Sequence, residues 1–298
     1  MKKNRLIFFS LFIIFGCGSF LYWFSLQNHT KFIPTTFNDF GLPMVQVEVE
    51  GKSYRVVIDL GSKAQASFDQ NILENINKNI YGKTQFRDFK DNRYESSNYL
   101  IQKIKLGDVL FNEVMVEERS EAFNNNTIIS LPAENNFLKD QGSIGWTLLK
   151  RKNLLLDFPD SRLAIVDTIK QTNYVLEEML EVPFTLTSLG VTITVGTDVG
   201  EKRFLLDTGS STTAIRSFPC AKEMYRKDAH GLEYFLSSQF SIMGNDFGNM
   251  PLHLLNITPE MKEIDGLIGM NFLRHYIVYI DFRKCLLYIR EKQGVVQK

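Results

Sequence analysis

The sequence predicts a mainly β protein made of two similar β-barrel lobes from an internal duplication, preceded by one N-terminal transmembrane helix. Three observations predict it. Short runs of alternating apolar and polar residues recur along most of the chain, the period-2 signature of half-buried strands. One local design, an apolar strand delivering an acid into a glycine-serine turn, occurs twice, as "RVVIDLGS" around Asp59 and "RFLLDTGS" around Asp207. An uncharged, apolar stretch at residues 6–26 follows Lys2, Lys3 and Arg5.

The N-terminal element comes first in the chain. At 1.5 Å per residue, residues 6–26 reach about 31 Å, enough to cross a bilayer core. Lys2, Lys3 and Arg5 ahead of it keep residues 1–5 in the cytoplasm and place the remainder outside. A cleaved signal would need a shorter apolar core and an Ala-x-Ala-like exit. "IFGC" ending at Cys17 resembles a lipoprotein box, but Phe15 is bulky for that pattern and the chain stays apolar beyond the cysteine. The expectation is an uncleaved single-pass anchor, with lipidation at Cys17 as the rival. Residues 27–41 then form a linker, too short for an inhibitory prosegment.

Composition narrows what the exported part does. With 298 residues, 44% hydrophobic and 23% charged, the chain suits two modest globular domains. Lys plus Arg and Asp plus Glu both total 34, with no basic stripe, so nucleic acid is not an expected partner. No Cys and His spacing suggests a metal site, and no cofactor is expected. Cys220 and Cys285 form either a disulfide or two separate thiols. Asn-x-Thr triplets begin at Asn28, Asn125 and Asn256 and are either glycan acceptors or accidents of an Asn-rich chain.

The duplication has three components in the same order. Val45, Val47 and Val49 in one half, and Val191, Ile193 and Val195 in the other, alternate with polar neighbours before a glycine-containing turn returns the chain into the strand carrying the acid. Hairpins follow at 101–118 and 235–255, turning at Gly107 and Gly244. Finally, "SIGWTLLKRKNLLLDFPDSRLAIV" from residue 143 lies without a gap over "LIGMNFLRHYIVYIDFRKCLLYIR" from residue 267. Each copy predicts a strand, a glycine opening a short helix, and a strand ending in Asp-Phe before a hairpin. Lobe 1 therefore runs over 42–167 and lobe 2 over 183–290, with a packed connector at 168–182 and a tail at 291–298. Asp157 and Asp281, in the Asp-Phe pairs, are expected to cap turns.

With these residues assembled, the chain resembles the bilobal aspartic protease superfamily, pepsin-like and retropepsin-like, most closely the small retropepsin-like lobes of bacteria. The resemblance spans nearly everything after residue 42. It implies that Asp59 and Asp207 face each other across a cleft and share a proton, because two close carboxylates do not both ionise cheaply. A water activated between them would attack a peptide bond. Gly61 and Gly209 would permit the tight turn and offer amides to the carboxylates, and Ser62 and Ser210 would add outer hydroxyls. Thr208 matches the threonine that reaches into the opposite lobe. Leu60 departs from that pattern, having no hydroxyl, and Lys63 is an unusual neighbour expected to lie in solvent. Tyr94 or Tyr99 would sit on a flap.

The implied function is a membrane-anchored aspartic endopeptidase acting outside the cytoplasm on peptide or protein substrates, as a monomer with its lobes paired within one chain. Two other readings compete. Asp59 and Asp207 would cap turns in two catalytically silent β domains, or the fold would hold a peptide without cutting it. Leu60 favours the latter.

Overall fold

The computed structural model describes residues 30–87, 93–119, 140–218, 225–228, 231–255 and 261–292. Cys17, Cys220, the three Asn-x-Thr asparagines and the apolar stretch at 6–26 lie outside the described residues. Among the described residues no helix is long and apolar enough to cross a membrane.

Strands dominate. The first half contains β1 (Ile33–Pro34), β2 (Thr36–Phe37), β3 (Pro43–Val49), β4 (Lys52–Asp59), β5 (Ala66–Asp69), β6 (Asn79–Arg87), β7 (Arg93–Leu106), β8 (Val109–Arg119), β9 (Gly142–Gly145), β10 (Asn153–Asp157) and β11 (Arg162–Val166). Helix α1 (Gln70–Leu73) follows β5, and α2 (Trp146–Leu149) follows β9. The second half contains β12 (Leu180–Pro183), β13 (Thr185–Leu186), β14 (Val191–Thr197), β15 (Gly200–Leu206), β16 (Ala214–Arg216), β17 (Tyr225–Lys227), β18 (Glu233–Ser237), β19 (Phe240–Ile242), β20 (Asn245–Asp246), β21 (Met250–Leu255) and β22 (Gly266–Ile268). It ends with α3 (Met270–Leu273), β23 (Tyr276–Asp281) and β24 (Leu286–Glu291).

The predicted alternation is realised. Val45, Val47 and Val49 on β3 and Val191, Ile193 and Val195 on β14 are buried, and a contiguous apolar cluster runs through both lobes. Each lobe has its own sheet, ordered β2-β3-β4-β9-β5-β8-β7-β6 in lobe 1, where β3 also pairs β7 and curls the sheet on itself. Lobe 2 repeats the core of this order as β18-β21-β16-β22-β15-β14-β19. The strand that continues as β7 in lobe 1 is broken into β18 and β19 in lobe 2.

The two Asp-Phe hairpins leave their lobes and build a third sheet together, ordered β1-β11-β10-β23-β24-β12. At its centre Leu155 pairs Tyr279, while Leu154 pairs Ile280 and Leu156 pairs Val278. Leu155 and Tyr279 are duplicates of one another in the gapless alignment, so a local twofold axis passes between them, as an isologous contact requires. Strand β12 pairs β24 and forms the edge of this sheet. Asp281 caps its turn, accepting from the amides of Arg283 and Lys284. Asp157 differs from expectation: fully buried, it accepts from Arg162 Nε at 2.6 Å and from the Tyr174 hydroxyl. A buried carboxylate needs such a cation, and the hairpin places Arg162 directly opposite it.

Candidate active site

Each acid is delivered by the same three strands. In lobe 1, β4 runs parallel to β9, which is antiparallel to β5, and Asp59 ends β4 opposite Gly145. In lobe 2, β15 runs parallel to β22, which is antiparallel to β16. Asp207 follows β15 immediately, its amide donating to Ile268 O at 3.0 Å. Buried Val56, Val57 and Ile58, and Phe204, Leu205 and Leu206, fix these strands in the interior and leave the acids at their ends.

The turns beyond the acids match atom for atom. The Trp146 amide donates to Ser62 O at 3.3 Å, and the Met270 amide donates to Ser210 O at 2.8 Å. A Cβ at Gly145 would lie 2.6 Å from Ser62 O, and one at Gly269 would lie 2.9 Å from Ser210 O. Neither site has room for a larger residue. These glycines open the two short helices, as the sequence predicted.

The lobes meet at the acids. Gly61 N donates to Asp59 Oδ1 at 2.9 Å, and Gly209 N donates to Asp207 Oδ1 at 2.8 Å. Each glycine also lies against the opposite acid. A Cβ on Gly61 would stand 2.8 Å from Asp207 Oδ2 and closer still to Oδ1, and a Cβ on Gly209 would meet Asp59 in the same way. The contact is reciprocal, and the two carboxyl groups are within hydrogen-bonding reach of each other.

Thr208 locks the lobes. Its hydroxyl donates to Ile58 O at 2.6 Å and accepts from Leu60 N at 2.9 Å, all within the interior. Leu60, also fully buried, returns no hydrogen bond from its side chain and instead contributes apolar packing. Its carbonyl lies where Gly190 of lobe 2 approaches closely: a Cβ there would be 3.0 Å away.

Burial and mutual repulsion govern the protonation of the pair. Asp207 is pushed up to about 8, first by burial and then by the negative charge of Asp59. Asp59 is raised by burial, opposed by the amides of Gly61 and Ser62, by its hydrogen bond with Asp207 and by the charge of Arg119. Both acids nevertheless keep part of their surface open to solvent. The arrangement can hold one proton between two partly exposed carboxyl groups, the requirement for paired general acid and base.

The remaining predicted residues are accounted for in place. Ser210 turns its hydroxyl to Thr212 O rather than to Asp207. Lys63 is exposed. Tyr94 belongs to the long hairpin of β6 and β7, where its backbone pairs Phe86, and its side chain lies outside the described residues. Tyr99, on the same hairpin, packs on the core and donates its hydroxyl to Glu118 at 3.2 Å. Cys285 is an exposed free thiol. Among the described residues no group of metal-ligating side chains could hold an ion.

Sequence reasoning missed Arg119, Thr213 and Asn271. Thr213 accepts from Gly269 N at 3.2 Å and shares Asn271 Oδ1, bracing the lobe 2 turn. The polar "STT" after Gly209 was the available signal for Thr213. Arg119 had none, because strand pairing alone brings it towards Asp59.

No family model matches the chain, and no curated protein matches it. Among solved structures 394 chains match. One is the crystal structure of an aspartic proteinase from Irpex lacteus, 13% identical, with a TM-score of 0.58, the match covering 90% of this chain and 99% of that one. The fold is that of an aspartic proteinase. At this identity the likeness establishes architecture, and the chemistry has to be argued from the residues above.

Proposed function

We propose that this chain is an aspartic endopeptidase in which Asp59 and Asp207 activate a water between them. The observation that carries the reading is the reciprocal packing of Gly61 and Gly209 on the opposite carboxylates, which serves two acids held face to face. Turn-capping acids in two silent domains would not need to meet.

The protonation pattern supports distinct roles. Asp59, the acid on which the Arg119 charge acts, takes a proton from water as the water oxygen attacks the scissile carbonyl. Asp207, holding its proton up to about pH 8, donates to the carbonyl oxygen. Collapse of the resulting diol passes a proton to the departing amine. The bond between carbonyl carbon and nitrogen breaks without an acyl-enzyme.

The finer reading is a bacterial retropepsin-like protein tethered by residues 6–26, with the lobes outside the cytoplasm and the chain monomeric. Its support is the apolar N-terminal stretch behind Lys2, Lys3 and Arg5. Resistance to carbonate extraction from membranes is the expected result, and release would remove the tether.

The detergent-solubilised full chain and a folded Asp207→Asn variant, incubated with a diverse peptide mixture between pH 4 and pH 8, test the main reading by mass spectrometry. Cuts made by the parent and absent from the variant are expected. A second reading, a peptide-binding module without turnover, is favoured by Leu60 alone. Peptide binding with no cuts at any pH would select it.

A further inference from the structure

We infer that the lobe 1 wall of the cleft selects substrates carrying a lysine or arginine close to the scissile bond, through Glu117. This deepens the endopeptidase reading and rests on it for the position of the cut.

Strand register places the wall. Asp59 and Val57 share one face of β4, and Val57 pairs Ser143, which pairs Ser67, which pairs Glu117, which pairs Asn98. Lateral partners in a sheet point to the same side. The Ser67 and Ser143 hydroxyls confirm this by meeting at 2.8 Å. The other face carries Ile58, Ile144, Ala66, Phe68 and Val116, all buried in the core. The face that presents Asp59 is therefore polar for four strands beyond it.

Its polar groups are unequally satisfied. Arg119, one pair further along β8, is engaged by Asp140 and by Asp69 at 3.9 Å. Glu117 is half-buried and has no hydrogen-bond or ion-pair partner among the described residues. Burial alone raises its carboxyl above the usual range. Opposite it, Asn98 is 7% exposed, spends its amide nitrogen on Thr84 Oγ1 at 2.7 Å, and leaves Oδ1 buried without a donor. Two acceptors on directly paired residues thus have no donor among the described residues.

A partly desolvated carboxylate without a counterion gains most from an incoming cation. Glu117 stands three strands across from Val57, which lies two residues from Asp59, so it is roughly 16 Å from Asp59 at strand spacing. An extended peptide advances about 3.3 Å per residue, so a long basic side chain within about four residues of the cut spans the gap.

The test uses the full chain in detergent at pH 7 with decapeptide pools in which each position in turn is fixed as Lys, Arg, Ala or Glu. Asp207→Asn, Glu117→Gln and Glu117→Lys are assayed alongside. We expect the parent to favour Lys or Arg at one position near the cut. Glu117→Gln should slow the basic pool about tenfold more than the alanine pool, and Glu117→Lys should turn preference towards Glu. Cuts without basic preference, or equal slowing of both pools by Glu117→Gln, overturn the inference and leave the endopeptidase reading intact. If the parent makes no cut that Asp207→Asn lacks, the endopeptidase reading fails. Fluorescence anisotropy of the same labelled pools then decides the inference. Tighter binding of the basic pool that Glu117→Gln weakens upholds it, and equal binding overturns it.

Discussion

The two lobes are alike where backbone geometry is concerned and unlike where side-chain hydroxyls are. Gly61 and Gly209 make equivalent contacts, as do Gly145 and Gly269, because any added carbon at these positions strikes a fixed carboxylate or carbonyl. Thr208 and Leu60 occupy equivalent positions and act differently, one by two hydrogen bonds and the other by burial. The difference teaches that the reciprocal approach of the acids is imposed by close backbone packing, and that a one-sided latch is enough to hold it. The flap-like hairpin also differs, with β6 and β7 long in lobe 1 and β17 and β18 short in lobe 2.

The sharpest way to break the comparison is to remove either acid. Asp207→Asn and Asp59→Asn should each lower kcat/KM for any cleaved peptide by at least about a thousandfold, with near-parental circular dichroism. Unequal losses would show the acids to be less interchangeable than their surroundings. Gly209→Ala and Gly61→Ala come next: each drives a methyl group into the opposing carboxylate. Both should cost about 1–3 kcal/mol in denaturant unfolding and abolish most turnover, to similar extents.

Thr208→Val tests the latch. It leaves Leu60 N and Ile58 O buried without their partner, and should cost about 2–3 kcal/mol, while Thr213→Val, away from the lobe junction, should disturb lobe 2 alone. Melting curves with an intrinsic-fluorescence probe check both.

The pH dependence gives a smaller signal of determinate sign. Asp207 binds its proton more tightly folded than unfolded, so its contribution to stability is complete below about pH 4 and is lost as pH rises towards about 8. The parent's Tm should therefore fall over that window relative to Asp207→Asn, whose amide does not titrate. A parallel decline would show that the proton is not held there. The smallest effect is expected from Leu60→Thr, which offers the missing hydroxyl but sacrifices buried apolar surface. A modest fall in Tm with turnover within about threefold of the parent is expected, and a large gain in turnover would show the one-sided latch to be limiting.

Much of this was legible in the chain because it is written locally. The alternating valines of β3 and β14, the apolar run-ins to Asp59 and Asp207, and the gapless third component each occupy a short window, and strand periodicity and turn chemistry act at that range. Thr208 was expected to lock the lobes only through the family resemblance, since nothing in its own neighbours says that its hydroxyl reaches the other lobe. Asp157 was misjudged as a turn cap because only the pairing of β10 with β11 brings Arg162 over it.

By itself, the sequence determined that the chain is strand-rich, duplicated and equipped with two matched acids, since each property depends on neighbours a few residues away. Tertiary structure alone decided that Gly61 meets Asp207, that the two acids are buried together so that both hold protons more tightly than usual, and that Glu117 shares a sheet face with Asp59. Those outcomes depend on desolvation and on lateral strand pairing, which join residues distant in the chain and leave no periodic mark in it.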